Sequence, residues 1–114
     1  MTTRYDFRVQ QGSKFAAFFV CSTDFAESFD LSGYTAEMQV RQGRYGRAID
    51  RLTTENGRLR IDLEKHAVYM ELPPNVTSTY PVARLLYDLE ITSGGGEVHR
   101  LVEGEITVSG EITR

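Results

Sequence analysis

The segment YDLEITSGGGEVHRLVEGEITV, Tyr87 to Val108, sets Asp88, Glu90, Glu97, Glu103 and Glu105 around His99. Two carboxylates that share a pocket and hold separated pKa values can act as general acid and base. Glu103 and Glu105 have a suitable spacing, since i and i+2 share one face of a strand. The same spacing describes the wet face of a half-buried sheet, where acids are solvated and Arg84 or Arg100 on a neighbouring strand can neutralise them. Catalysis is not needed to explain them.

A second group, Asp62, Glu64 and His66, has same-face spacing on a strand and could seed a metal site. A tight site wants three or four converging ligands, and no second histidine or thiolate lies nearby in the sequence. Surface turn residues explain the group better. No G-x-S-x-G elbow frames a serine nucleophile. Neither G-x-x-x-x-G-K-[ST] nor G-x-G-x-x-G after a strand is present, so nucleotide binding has no support. The SGGG tract at Ser93–Gly96 reads as a hairpin loop, because it lies between two strands and feeds no helix. The expectation is a protein that is not an enzyme, with no catalytic, cofactor-binding or metal-binding residues and no cofactor.

The stretch from Gln42 to Gly57 is long for a strand connection, and such loops are often functional. It carries Arg44, Tyr45, Arg47 and Arg51. One reading is a solvated excursion with a short strand or turn inside it. The other is a contact loop, since Arg and Tyr are favoured at interface hot spots.

These residues must be positioned by strands, because the dominant period is two. Alternation runs through Tyr5–Val9, Tyr34–Val40, Leu59–Leu63, Val68–Leu72, Leu85–Ile91 and Val102–Val108. Each pattern has one dry face and one wet face. Lys14–Cys21 is apolar on both faces, so it is a central strand or one covered by a partner. Turn signals separate the runs at Gln11-Gly12-Ser13, Asp30–Gly33, Glu55-Asn56-Gly57 and Ser93–Gly96. Asn75–Tyr80 can make one helical turn, limited by Pro81. The reading is an all-β, antiparallel, immunoglobulin-like β-sandwich of about seven strands with one short helical turn.

The 114 residues make one domain, 1–114, large enough for a core without staples. A net charge of −3 gives no basic excess for nucleic acid. The lone Cys21 excludes an intrachain disulfide and reads as a small buried hydrophobe. FAAFFVCS is too short to cross a bilayer, which takes roughly 20 residues. MTTRYDFR lacks the apolar region of a signal peptide, so cytoplasmic synthesis without membrane insertion is expected. Phe18, Val20, Leu86 and Leu101 are surplus to one core and are expected to face outward, as a protein-protein surface does. The hairpin over Ala83–Val108 is expected at a sheet edge, with the tail Glu111–Arg114, and Ile112 within it, meeting another subunit.

Taken together, QGSKFAAFFVCS, DLSGYTAEMQVR, NGRLRIDLEKHAVYMELPP and YDLEITSGGGEVHRLVEGEITVSGEITR resemble a small β-sandwich module of tailed bacteriophages. It is similar to the N-terminal domain of phage upper baseplate and tail-fibre proteins. The matching positions are Gly12 and Phe15; Asp30–Tyr34, Ala36, Met38, Val40 and Arg41; Tyr87–Glu90; and Arg100, Leu101, Glu103, Gly104, Ile106 and Val108. In longer relatives a fibre or trimerising region follows. Here the sequence stops at Arg114, which is expected to make it an adaptor, plug or decoration. The resemblance implies a structural virion protein, assembled in the host cytoplasm, that docks in several copies onto other virion proteins in the tail, baseplate or fibre-attachment region. The alternative is a capsid-decorating protein on the head, and a small hydrolase or metal enzyme is the third reading. The expected partners are other phage virion proteins and further copies of the chain, with no nucleic acid, membrane or small-molecule substrate. The partner-binding residues expected are Arg44, Tyr45, Arg47, Leu86, Leu101 and Ile112.

Overall fold

The computed structural model describes residues 3–20 and 31–110. In chain order these form β1 (Thr3–Arg4), β2 (Phe7–Gln10), β3 (Phe15–Val20), β4 (Thr35–Arg41), β5 (Ala48–Thr53), β6 (Leu59–Asp62), β7 (Ala67–Leu72), the helical turn α1 (Pro74–Thr77), β8 (Arg84–Thr92) and β9 (Val98–Ser109). One sheet runs β9-β8-β4-β5, with β1 and β2 both on the far side of β9; the other runs β3-β7-β6. The chain is an all-β sandwich of immunoglobulin-like architecture.

The period of two does the sorting. In β4, Ala36, Met38 and Val40 are buried while the residues between them keep contact with water. In β8, Leu85, Tyr87, Leu89 and Ile91 do the same. Opposite them, Leu59, Val68, Met70, Leu72 and Phe19 close the core from the smaller sheet. Burying each such side chain contributes roughly 1.5–3 kcal/mol before entropy is counted. At one side the core is aromatic. Phe7 stacks on Phe15 at 4.7 Å and meets the Tyr87 ring edge-on at 5.2 Å, joining β2, β3 and β8.

Two features depart from the sequence reading. β1 and β2 run parallel to β9, in register Thr3↔Val102 and Phe7↔Ile106, whereas the other pairings are antiparallel. The hairpin strand β9 is therefore not an edge: β8 covers one side and the N-terminal strands cover the other. The long stretch from Gln42 to Gly57 holds a short strand, as one of its two readings has it: β5 lies inside it and pairs with β4.

Between β1 and β2 the chain passes directly over Gly104. A Cβ there would lie 2.0 Å from the Tyr5 carbonyl oxygen, so only glycine lets the two backbones approach. The crossing is fixed by three hydrogen bonds. Tyr5 N–H donates to the Glu103 carbonyl at 2.9 Å, Glu105 N–H to the Asp6 carboxylate at 2.9 Å, and the Tyr87 hydroxyl to the Tyr5 carbonyl at 2.6 Å.

Polar contacts also tie the layers together. Thr77, fully buried in α1, donates to the Ser13 carbonyl at 2.9 Å. The Tyr80 hydroxyl and an Arg58 Nη2 both donate to Asp50 Oδ2, at 2.5 and 2.8 Å. Burial, with the Asp50 carboxylate second, pushes the Tyr80 phenol far above its ordinary pKa.

Candidate functional site

The acids of the C-terminal hairpin lie on the outer face of the larger sheet, where alternation places them. The Arg100 guanidinium sits among three of them, 3.7 Å from Asp88, 3.5 Å from Glu90 and 3.6 Å from Glu103. Further across the same face Arg51 grips Glu37 with two hydrogen bonds of 2.8 and 2.9 Å. That pair, with Gln39 second, holds the Glu37 carboxyl below its ordinary pKa. Neutralisation by arginine is the arrangement of a solvated ionic face, and each exposed pair contributes little to stability.

Asp62 ends β6, and Glu64 and His66 fall in the connection to β7. Asp62 accepts the Lys65 backbone N–H at 3.1 Å, and His66 adopts a left-handed backbone with φ of 51°. These are turn contacts. Among the described residues no three His, Cys, Asp or Glu side chains converge as metal ligands.

The arginine loop shrinks to the turn of the β4–β5 hairpin, residues 42–47. It is pinned by Arg41, whose Nη1 donates to the Gly46 carbonyl at 2.9 Å and whose Nη2 donates to the Gln39 side-chain oxygen. Arg44, Tyr45 and Arg47 are exposed, Tyr45 almost completely at 95%. Arg44 leans over a cleft of about 430 Å³ on the outer face of the larger sheet. Leu86, half-buried, lies in the same cleft. Two of the residues singled out by sequence thus meet, while Tyr45 and Arg47 do not line this cleft. Arg4, Arg41, Arg100, Asp88 and Glu103 supply its other charged residues. Arg41 was legible as an outward position of its strand; Arg4 was not, because the parallel docking of β1 leaves no sequence signal.

Leu101 does not face outward. It is 3% exposed. The cause is a register shift: Leu89 pairs with Val102, Glu90 pairs with Arg100, and Leu101 is the extra residue between them. Such a bulge breaks the alternation, so Leu101 and Val102 are both turned inward. Cys21, Asp30, Ile112 and the tail Glu111–Arg114 lie outside the described residues.

Phe18 and Val20 do face outward, 44% and 66% exposed. Their strand, β3, is not central. It is an edge of the smaller sheet, with β7 as its only strand neighbour among the described residues. Phe18 leans on the Tyr69 ring at 4.9 Å, and Lys65 lies over the Phe18 ring at 5.4 Å. Arg60 covers Tyr69 at 4.8 Å. Beside this edge a groove of about 210 Å³ opens between the layers, lined by Tyr5, Phe19, Val20, Leu101 and Val102 among others. Leu101 therefore contributes to a surface groove while packed in the core.

No family model and no curated protein matches the chain. Among solved structures, the extracellular domains 3–5 of Drosophila OTK are similar over 93% of this chain, at 10% identity and a TM-score of 0.38. The chain spans a third of that structure's length, 33%. So distant a likeness carries no functional argument, and the architecture rests on the sheet topology itself.

Proposed function

We propose that this chain is a structural virion protein of a tailed bacteriophage, working in several copies as a docking module in the tail, baseplate or fibre-attachment region. The phage assignment is supported by the motifs around DLSGYTAEMQVR and YDLEI…RLVEGEITV. In this reading the partners are other virion proteins and further copies of the chain. The acids of the outer face keep the sheet solvated and turn over no substrate.

One observation carries the docking part. Natural proteins blunt sheet edges with charge, proline, a bulge or a cover. FAAFFV has no charge and no proline. Its pairing with β7 runs unbroken from Phe15↔Leu72 to Val20↔Ala67, so no bulge turns it away. A strand added by a partner would pair with the backbone groups that no described strand covers and set a side chain into the adjoining groove. That is how an edge becomes a binding site.

Quantitative mass spectrometry of purified particles, with antibody labelling in electron micrographs, tests the reading. The expected result is several copies per particle and label on the tail. A chain abundant in the lysate and missing from particles overturns it.

A further inference from the structure

The cleft over the outer face of the larger sheet has a charge imbalance. Arg4, Arg41, Arg44 and Arg100 line it against Asp88 and Glu103, in a chain whose net charge is −3. The imbalance is local. Arg100 is engaged by its three carboxylates, and Arg4 lies 3.3 Å from Asp6. Arg41 spends its two bonded N–H groups on neutral oxygens, the Gly46 carbonyl and the Gln39 amide. Among the described residues no ion pair neutralises Arg41 or Arg44. A guanidinium has five N–H donors, so most of those on this pair remain available. The turn that carries Arg44 is held in place. Gly46 N–H donates to the Gly43 carbonyl at 3.2 Å, and a Cβ at Gly46 would lie 2.7 Å from the Gln42 oxygen.

We propose that this cleft binds an acidic segment of a partner protein, with side-chain carboxylates of the segment held by Arg41 and Arg44. Planar guanidinium forks match carboxylates in two-point contacts. The cleft volume of about 430 Å³ suits a few residues of extended chain. Half-buried Leu86 gives the segment an apolar contact. The apolar contact at Leu86 favours a peptide over a compact free anion, which has nothing to place there. An extended segment can lay its carboxylates at the Arg41–Arg44 side alone. The proposal deepens the docking reading, on which it rests, by naming the partner's chemistry at a surface separate from β3.

The test uses the purified chain, with hexaglutamate peptide and inorganic phosphate as the probes, titrated by NMR at low and moderate salt. The peptide is expected to saturate, shifting amides of residues 39–46 and 86–88. Arg44→Gln is expected to weaken it roughly tenfold, as loss of a charge-assisted contact does. Arg41→Gln,Arg44→Gln should weaken it further. Arg47→Gln removes the same charge from the same turn outside the cleft, and should leave affinity within about twofold. Arg44→Gln leaves the Arg41–Gly46 hydrogen bond in place, so it reads binding without disturbing the turn. Equal loss with Arg47→Gln, no saturation, or phosphate binding as tightly at the same amides overturns the proposal. Failure here leaves the composition of particles untouched, and a chain missing from particles leaves this titration unchanged, so the two readings fail separately.

Discussion

Gly104 and Tyr5 are so close that a methyl group on the glycine would sit 2.0 Å from the tyrosine carbonyl oxygen. The contact is backbone to side chain position, so no rotamer change can relieve it. Gly104→Ala must push the N-terminal strand off β9 and break the Tyr87–Tyr5 hydrogen bond of 2.6 Å. The expected cost is about 3 kcal/mol or more, the upper range for overpacking. Denaturant unfolding checks the cost, and amide exchange at Tyr5 checks the mechanism: protection there should collapse while that of β4 persists.

Tyr80 and Tyr87 link stability to alkaline pH. Burial raises both phenols above the ordinary value of 10.0. The native state therefore keeps protons that the unfolded chain loses, and stability is fully present below pH 10 and falls as pH rises above it. The slope is up to about 1.4 kcal/mol per pH unit for each tyrosine. Urea midpoints between pH 8 and pH 11.5 should show a plateau and then a decline, and Tyr80→Phe should flatten the decline. A decline of the same steepness in that variant would remove Tyr80 from the account.

Changing Glu103 and Glu105 together to Gln should alter stability by less than about 1 kcal/mol. Arg100 keeps Asp88 and Glu90 at 3.7 and 3.5 Å when Glu103 is neutral. Thermal unfolding of the double variant checks this. A large loss would mean that the outer face is an interdependent network.

The sequence was most legible where one face is dry and the ladder is regular. Met38, Leu85, Leu89 and Ile106 follow from alternation alone, and all are fully buried. The single turn after Pro73-Pro74 was legible from the prolines, and α1 spans Pro74–Thr77. Leu101 was misread because a one-residue bulge reverses the phase of everything before it, and no residue type announces a bulge. β5 was legible only as one of two readings of the long loop, because Leu52 alone is buried in Ala48–Thr53 and the alternation is too weak to decide. The cleft was only partly legible. Arg44 and Leu86 were singled out, but Arg4 joins them through a parallel pairing, a long-range event with no local signature. The exposed apolar character of Phe18 and Val20 was read correctly, and their place on an edge was not, since an edge is a property of the sheet.

The central claim is that the unblunted edge of β3 joins this chain to its partners. The most direct measurement is incorporation of Phe18→Lys,Val20→Lys into particles, in competition with the parent chain in the same host. Val20 is open to solvent and Phe18 is nearly half so; the variant loses the Phe18–Tyr69 contact and should unfold somewhat below the parental temperature but stay folded and soluble. Its incorporation should fall below about a tenth of the parent's, because added charge on an edge opposes strand pairing. Equal incorporation of a folded variant would contradict the account and remove β3 as the docking strand.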